Sequence, residues 1–160
     1  MKRILLALVM TVMAVGANAQ TTWNVRGGAG ISVDAENNAC MAPSLSLQTN
    51  IPLARASKFV VSPTLMVTMP DFWDVDIILP VYFGYKTLLG NQTLFVPKIG
   101  PCIGLSTTNG SFIAGPAVEL AIEVKHFVVG VNGYYSLTTD TDYGHEFNHF
   151  GAFLTLGYKF

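Results

Sequence analysis

Residues that could carry chemistry are sparse in this chain of 160 residues, which contains three histidines and two cysteines. His126, His145 and His149 show no metal-ligand spacing with one another or with the cysteines, so we expect neither a metal nor any other cofactor. Ser136, His149 and Glu146 lie near the carboxyl end of the chain and could supply a nucleophile, a base and an orienting acid. No motif marks these three residues, and we therefore predict that the protein is not an enzyme.

The composition restricts the kind of fold that must position these residues. Hydrophobic residues make up 51% of the chain and charged residues only 12%, against roughly a quarter charged in an ordinary soluble domain. After the first twenty residues, however, no apolar run approaches the ~20 residues that a membrane-spanning helix needs. The sequence therefore excludes a helical membrane protein and leaves a soluble all-β core or a transmembrane β-barrel.

The first nineteen residues have the pattern of a secretory signal. Lys2 and Arg3 precede an apolar stretch over residues 4–15, and Ala17-Asn18-Ala19 forms a small-residue cleavage site. We predict that residues 1–19 are a cleaved signal peptide and that residues 20–160 form one domain. Removing Lys2 and Arg3 leaves seven basic against ten acidic residues, so we expect no binding to nucleic acid.

Cys40 and Cys102 are the two cysteines of a chain that this signal would export to an oxidising compartment. A disulfide between them requires Cα atoms within ~7 Å of each other. In the pattern described next, Cys40 lies in the first outer connection and Cys102 lies inward near the outer end of the fifth segment, and the strands concerned are not neighbours. The sequence therefore leaves both a Cys40–Cys102 bond and two separate thiols open.

Eight segments of alternating polar and apolar residues follow the signal, separated by clusters of Gly, Asn, Asp, Ser and Pro. Each segment has ten or more residues, which is enough to cross a bilayer as a tilted strand. The segments cover approximately residues 22–32, 41–51, 59–69, 74–86, 94–106, 112–124, 127–137 and 147–160.

The composition of the polar face distinguishes a soluble barrel from a membrane barrel. A lipocalin-type barrel turns its polar face to water, and that face should be rich in charged residues. Here the polar face consists mainly of Gly, Ser, Thr, Asn and Tyr, and the few charged residues also lie on it. This placement fits a membrane barrel, because a charge on the lipid face costs up to ~2 to 4 kcal/mol. We predict an all-β protein, an eight-stranded antiparallel up-and-down transmembrane β-barrel. The charges within or beside the segments are Arg26, Asp74, Asp76, Lys86, Lys98, Glu119, Glu123 and Lys159.

The interior of an eight-stranded barrel is only wide enough for side chains to fill it. We expect Arg26, Lys98, Glu119 and Glu123 to form a charge network in this lumen and to plug it. Lys98 and Glu119, on adjacent strands at similar heights, are the first pair, and Arg26 is long enough to reach the same carboxylate. The alternative is a partly open lumen in which water screens each charge separately.

The connections at the two ends of the predicted barrel differ in the sign of their charge. With the amino terminus on the periplasmic side, the outer connections carry acids and no Lys or Arg, whereas the inner connections carry Arg55, Lys58 and Lys125 and no acid. The outer connections are residues 33–42, 70–73, 107–111 and 138–146, and the inner ones are residues 52–58, 87–93 and 125–126. Aromatic residues gather at the segment ends as interfacial girdles would, with Trp23, Phe59, Tyr85, Phe127, Tyr158 and Phe160 at the inner ends and Phe72, Trp73 and Phe112 at the outer ends.

Six prolines lie inside the proposed strands, where each removes a donor from the hydrogen-bond ladder. β-Bulges are one way to accommodate them, with a local change of register. The six are Pro43, Pro63, Pro80, Pro97, Pro101 and Pro116.

The chain resembles the small eight-stranded outer-membrane barrels typified by OmpA and OmpX, including the "porin family" proteins of Gram-negative bacteria. The resemblance rests on the signal segment 1–19, the Gly-rich first strand over residues 25–30 and the closing strand over residues 154–160. It implies a location in the outer membrane and contact with outer-membrane lipid. It also implies that Tyr158 and Phe160 form the assembly signal read by the barrel-assembly machinery.

Three functions fit this class. We favour a monomeric barrel with a structural or surface-interaction role and a plugged, non-conducting lumen. The alternatives are a narrow or gated pore for small solutes and an enzyme that modifies lipid A through Ser136, His149 and Glu146. The sequence names no surface ligand.

Overall fold

A computed structural model describes residues 21–33, 39–54, 57–71, 74–107, 112–139 and 146–160. The proposed signal peptide, residues 1–19, lies outside these residues. Within them, no helix is long and apolar enough to cross a membrane. The strands are β1 (Thr22–Val33), β2 (Ala39–Pro52), β3 (Phe59–Asp71), β4 (Asp74–Tyr85), β5 (Thr87–Gly90), β6 (Thr93–Ser106), β7 (Phe112–Val124), β8 (Phe127–Thr139) and β9 (Glu146–Lys159).

The strands form one closed antiparallel barrel. Each long strand pairs with the next long strand in the chain, and β9 closes the barrel by pairing with β1. β6 pairs with β4 and also with the short β5 that follows β4. The β5–β6 pairing keeps the register of the β4–β6 pairing, because Gly84 is opposite Lys98 and Thr87 is opposite Phe95. β4 and β5 are therefore one interrupted strand, and the prediction of an eight-stranded up-and-down barrel is confirmed.

One predicted connection is wrong. Residues 87–93 were expected to be a loop, but most of them form β5, and a turn at Asn91 and Gln92 leads into β6. Leu88 and Leu89 in this strand are apolar and highly exposed, like the lipid-facing residues of the longer strands. The hairpin extends the barrel wall beyond the end of β3, where Phe59 is opposite Tyr85.

The alternation of side chains divides each strand between two environments. On β1, Arg26 is 1% exposed whereas its neighbour Val25 is 42% exposed, and on β9 Thr155 is 2% exposed beside Leu154 at 63%. Because successive side chains of a strand point to opposite faces, the polar parity lies inside and the apolar parity outside. An apolar outer surface of this extent matches a lipid environment rather than water.

The lumen is less polar than the sequence pattern suggested. Two clusters of buried apolar residues lie inside the barrel, although the interior was expected to hold mainly small and polar side chains. Large residues such as Met66, Ile78 and Phe153 point inward and are at most 2% exposed. The loop-side cluster is Ala42, Met66, Ile78, Tyr82, Cys102, Ile113, Ala117, Tyr134 and Phe153, and the turn-side cluster is Val60, Val96, Ala121 and Val128.

The six in-strand prolines interrupt the ladders without shifting their register. In each case pairing with one neighbouring strand continues through the proline and pairing with the other stops, because proline has no N–H to donate. Pro97, for example, is opposite Leu120 of β7, while Tyr85 on its other side is unpaired with β6. In the described strands, register shifts occur between Thr68 and Asp71 and between Leu88 and Gly90. These six prolines are therefore accommodated by gaps in one ladder, and not by the bulges that the sequence left open.

Candidate functional site

Three of the four charges predicted to share the lumen meet at one carboxylate. Arg26 Nη1 lies 2.9 Å from Glu119 Oε1 and Lys98 Nζ lies 2.8 Å from the same oxygen. All three side chains are almost completely buried. Lys98 and Glu119 are opposite each other on β6 and β7, and Arg26 reaches them from β1. The two cations share one anion, and each also donates to a neutral acceptor.

Gln48 of β2 is the residue that joins this cluster together. Its Oε1 accepts hydrogen bonds from Arg26 Nη2 at 2.6 Å and from Lys98 Nζ at 2.6 Å. Its Nε2 donates to Glu119 Oε2 at 2.7 Å and to Thr64 Oγ1 at 3.0 Å. One amide therefore bridges both cations and their counterion. We call Arg26, Gln48, Lys98 and Glu119 the central network.

Gln48 is on the polar parity of the segment 41–51, but the sequence analysis did not assign it to the network. β2 and β7 are on opposite sides of the closed barrel, so no pattern within one strand links Gln48 to Glu119. The available signal was the inward parity of Gln48 on a strand adjacent to the one that carries Arg26.

The central network extends along β2 and β3. Lys98 Nζ also donates to Asn50 Oδ1 at 3.2 Å, and the same Asn50 oxygen accepts a hydrogen bond from Ser62 Oγ at 2.6 Å. Thr64 continues the chain by donating to the Ser62 carbonyl oxygen at 3.3 Å. Neutral acceptors therefore disperse the charge of Lys98, which is how a buried cation that shares its anion is stabilised.

Inward-facing glycines make room for the two long cations. A side chain added at Gly157 would collide with Arg26 Cγ and with the Val25 carbonyl oxygen, and one added at Gly84 would lie 2.6 Å from Lys98 Cγ. Glycine at both positions lets Arg26 and Lys98 lie along the barrel wall. The glycines of these strands are therefore part of the site.

Glu123, the fourth predicted charge, lies apart from the central network. Its Oε2 accepts a hydrogen bond from Lys159 Nζ at 2.7 Å. Lys159 is on β9 near the chain end and is partly exposed. This ion pair lies at the end of the barrel that carries the β2–β3, β5–β6 and β7–β8 connections, which we call the turn end.

Apolar layers enclose the central network on both sides. On β7, Glu119 lies between Ala117 of the loop-side cluster and Ala121 of the turn-side cluster. On β6, Lys98 lies between Val96 and Cys102 of the same two clusters. Glu119 and Lys98 therefore have buried apolar side chains on both sides of them along their strands.

The structure does not bring the two cysteines together. Neither cysteine is in a disulfide. Cys40 Sγ lies 3.4 Å from the Ser32 carbonyl oxygen on β1, and Cys102 Sγ lies 3.9 Å from the Pro116 carbonyl oxygen on β7. Of the two arrangements that the sequence left open, the structure has separate thiols.

The candidate catalytic trio is only partly within the described side chains. Ser136 Oγ accepts a hydrogen bond from Ala114 N at 2.8 Å and donates one to the Ala114 carbonyl oxygen at 3.2 Å. Its hydroxyl therefore replaces ladder pairing between β7 and β8, which begins only at Ala117. The side chains of His149 and Glu146 lie outside the described residues, as does His145.

The remaining histidine, His126, is exposed in the turn between β7 and β8. Its ring stacks on Tyr158 with centroids 5.5 Å apart, and Nδ1 lies 3.2 Å from the Lys159 carbonyl oxygen. Among the residues that the structure describes, no group of three His, Cys, Asp or Glu side chains could hold a metal ion.

Tyr158 and Phe160, the predicted assembly signal, belong to an aromatic cluster on the outer surface. Their rings lie 5.1 Å apart, and Phe127 contacts Tyr158 at 5.9 Å. Phe160 N donates to the Trp23 carbonyl oxygen at 2.8 Å, so the last residue closes the barrel against the first strand. Phe59 and Tyr85 form a second edge-to-face pair at the same end. Phe72 and Trp73, predicted at the other end, lie outside the described residues.

These features define the class of the protein. A closed eight-stranded barrel with an apolar outer surface, an aromatic band at one end and buried charges inside has the fold of the small outer-membrane β-barrels.

Comparison with solved structures leads to the same fold. Ail, the attachment invasion locus protein of Yersinia pestis, is 14% identical with a TM-score of 0.52, and the match covers 87% of this chain and 98% of Ail. Ail in complex with the heparin analogue sucrose octasulfate matches at 12% identity and a TM-score of 0.51, covering 88% of this chain and 99% of that one. Neisserial surface protein A is 7% identical with a TM-score of 0.64, covering 87% and 95%. No family model and no curated protein matches the sequence.

Proposed function

We propose that this protein is a non-conducting outer-membrane barrel whose lumen is a packed core and whose loops interact with partners at the cell surface. The central network carries the first part of this proposal. Glu119 holds two buried cations at 2.9 and 2.8 Å, and apolar clusters lie on both sides of it. A solute would have to separate these charges in a region of low dielectric, where breaking a buried pair is costly.

The surface-interaction role is supported by the kind of protein that shares the fold. The names of two structural neighbours describe an attachment invasion locus protein and a surface protein, and we extend that role to this chain. Enzymatic activity is not part of the proposal, because the Ser136 hydroxyl is bonded to the β7 backbone at both of its contacts with Ala114.

We further propose that the chain is exported with cleavage after Ala19, is folded by the barrel-assembly machinery and stays monomeric among outer-membrane lipids. The short turns would then face the periplasm and the longer loops the exterior. The basic residues at the turn end and the acidic residues of the opposite connections support this orientation.

Two measurements on one purified sample test the proposal. A folded barrel should migrate faster in a detergent gel before boiling than after it, and planar bilayers containing it should show no steady conductance. Recovery in the soluble periplasmic fraction without a mobility shift would contradict the membrane assignment. Steady ohmic conductance would contradict the plugged lumen and favour the pore.

A further inference from the structure

An apolar depression of about 340 Å³ opens on the outer wall of the barrel between β3, β4 and β6. Its volume is within the range of ~300 to 1,000 Å³ typical of small-molecule pockets. The rings and aliphatic chains that line it face lipid and are mostly more than half exposed. They are Leu53, Phe59, Phe83, Tyr85, Pro97 and Ile99, with the buried Val60 and Lys98 and the backbone of Gly84 on the inner side.

The depression exists because the wall is broken there. Pro97 has no N–H to donate, and β4 ends at Tyr85 where Pro97 would have been its partner. Gly84 adds no side chain on the inner side, and the buried residues Val60 and Lys98 lie behind it. The break therefore gives a slot in the lipid-facing surface.

Lys58 lies beside this slot. Lys58 Nζ lies 6.0 Å from the ring centroid of Tyr85, which forms one wall. The backbone of Lys58 is fixed there, because Lys86 N donates to its carbonyl oxygen at 2.7 Å. A cation above an apolar slot at the level of an aromatic band matches the chemistry of a phospholipid, which has an anionic phosphate above its acyl chains.

The charge of the whole turn end favours an anionic lipid. Lys58, Lys86, Lys125 and Lys159 lie at this end, and Glu123, which is buried, pairs with Lys159. Each lysine near a membrane surface contributes ~1 kcal/mol of attraction to acidic lipid. Acidic phospholipid therefore complements this end of the barrel better than zwitterionic lipid.

We propose that this slot is a binding site for one acidic phospholipid, with an acyl chain lying against Phe83 and Ile99 and the phosphate on Lys58. The site rests on the proposed membrane insertion, since its walls face lipid.

Native mass spectrometry of the full barrel in detergent, offered equal amounts of phosphatidylglycerol and phosphatidylcholine, tests the site. We expect one phosphatidylglycerol to be retained in preference. Lys58→Gln should weaken its retention about fivefold, as expected for one lysine, while Lys125→Gln, an exposed lysine of the β7–β8 turn, should change it less. Ile99→Trp should fill the slot and reduce retention, while Leu156→Trp, at an exposed position of β9 on the opposite side of the barrel, should not.

Equal retention of the two lipids, or equal effects of each variant and its control, would overturn the site. The mobility shift on boiling is recorded for every sample, so that only folded barrels are compared. A wild-type barrel that shifts but shows no lipid preference contradicts this inference alone. A wild-type protein that shows no shift contradicts the proposed function.

Discussion

Gln48 and Glu119 are on opposite sides of the barrel, yet Gln48 Nε2 donates a hydrogen bond of 2.7 Å to Glu119 Oε2. The two side chains extend toward each other from opposite walls and meet inside the lumen. Arg26 and Lys98 each contact both Gln48 and Glu119. This contact ties β2 directly to β7. Three strands lie between β2 and β7 on either side of the ring (β1, β9 and β8 on one side, and β3, β4 with its continuation β5, and β6 on the other), so the contact fixes the distance across the barrel between these two arcs.

Removing the carboxylate should destabilise the barrel strongly. Glu119→Leu leaves Arg26 and Lys98 buried without their anion, and losing one partner of a buried pair typically costs ~3 to 5 kcal/mol. The free energy of unfolding from lipid vesicles in denaturant measures this loss. Lys125→Gln, which removes an exposed charge of the β7–β8 turn outside the lumen, is the control. A loss for Glu119→Leu no larger than that of the control would indicate a hydrated lumen.

Removing the central amide should cost less but should be coupled to the carboxylate. Gln48→Leu leaves acceptor and donor positions of the network unsatisfied, which we expect to cost ~1 to 3 kcal/mol. Gln92→Leu, in the exposed turn before β6, is the matched control. In a double-mutant cycle, Gln48→Leu should have a different effect in the Glu119→Leu background, because the two residues share one network. Additive effects would show that the amide acts independently.

A glycine next to Arg26 should be sensitive to a single methyl group. Gly157→Ala would place Cβ against Arg26 Cγ and the Val25 carbonyl oxygen, and overpacking of this kind typically costs ~1 to 3 kcal/mol. Gly27→Ala is the control, because a Cβ there meets no heavy atom within 4 Å. Denaturant unfolding of both variants measures the difference. Equal stability of the two proteins would mean that Arg26 moves aside freely.

The terminal aromatic residue should matter more for assembly than for the finished fold. Phe160→Ser removes the last residue of the proposed signal, and we expect slower appearance of the heat-modifiable form in the presence of the assembly machinery, with an unchanged final mobility shift. Phe127→Ser removes a ring of the same aromatic cluster, which contacts Tyr158 at 5.9 Å. If both variants assemble at the same rate, the rings contribute only interfacial packing.

The cysteines should both be available as thiols. Cys40 and Cys102 have contacts on different strands and are not bonded to each other. Labelling the unreduced, denatured protein should therefore modify two thiols per chain. No labelling before reduction and two labels after it would reveal the disulfide.

Alternation along the chain was enough to predict the wall of the barrel. Because a side-chain period of two assigns each residue to one face, the inward direction of Arg26, Lys98 and Glu119 followed from the sequence. The proximity of Lys98 to Glu119 followed as well, since β6 and β7 are consecutive strands and the five-residue connection between them limits their register.

Contacts across the lumen and breaks in the ladder could not be predicted in this way. The role of Gln48 depends on which strands oppose each other after closure. The effect of Pro97 depends on which neighbour its nitrogen faces, because this decides which of the two seams is interrupted. The inward position of Phe153 was hidden because the apolar residues of β9 occupy both parities.

The prolines also make the barrel wall mechanically uneven. The seams that join β8, β9, β1 and β2 are continuous over ten or more residue pairs each, whereas the seams on the β3 and β4 side are interrupted. Both chain ends are therefore fixed in the stiff arc of the ring. The arc formed by β3, β4 and β6, whose seams are interrupted, is more easily deformed. We therefore expect lateral pressure from a bilayer, and thermal distortion of the circular cross-section toward an oval, to displace these strands most.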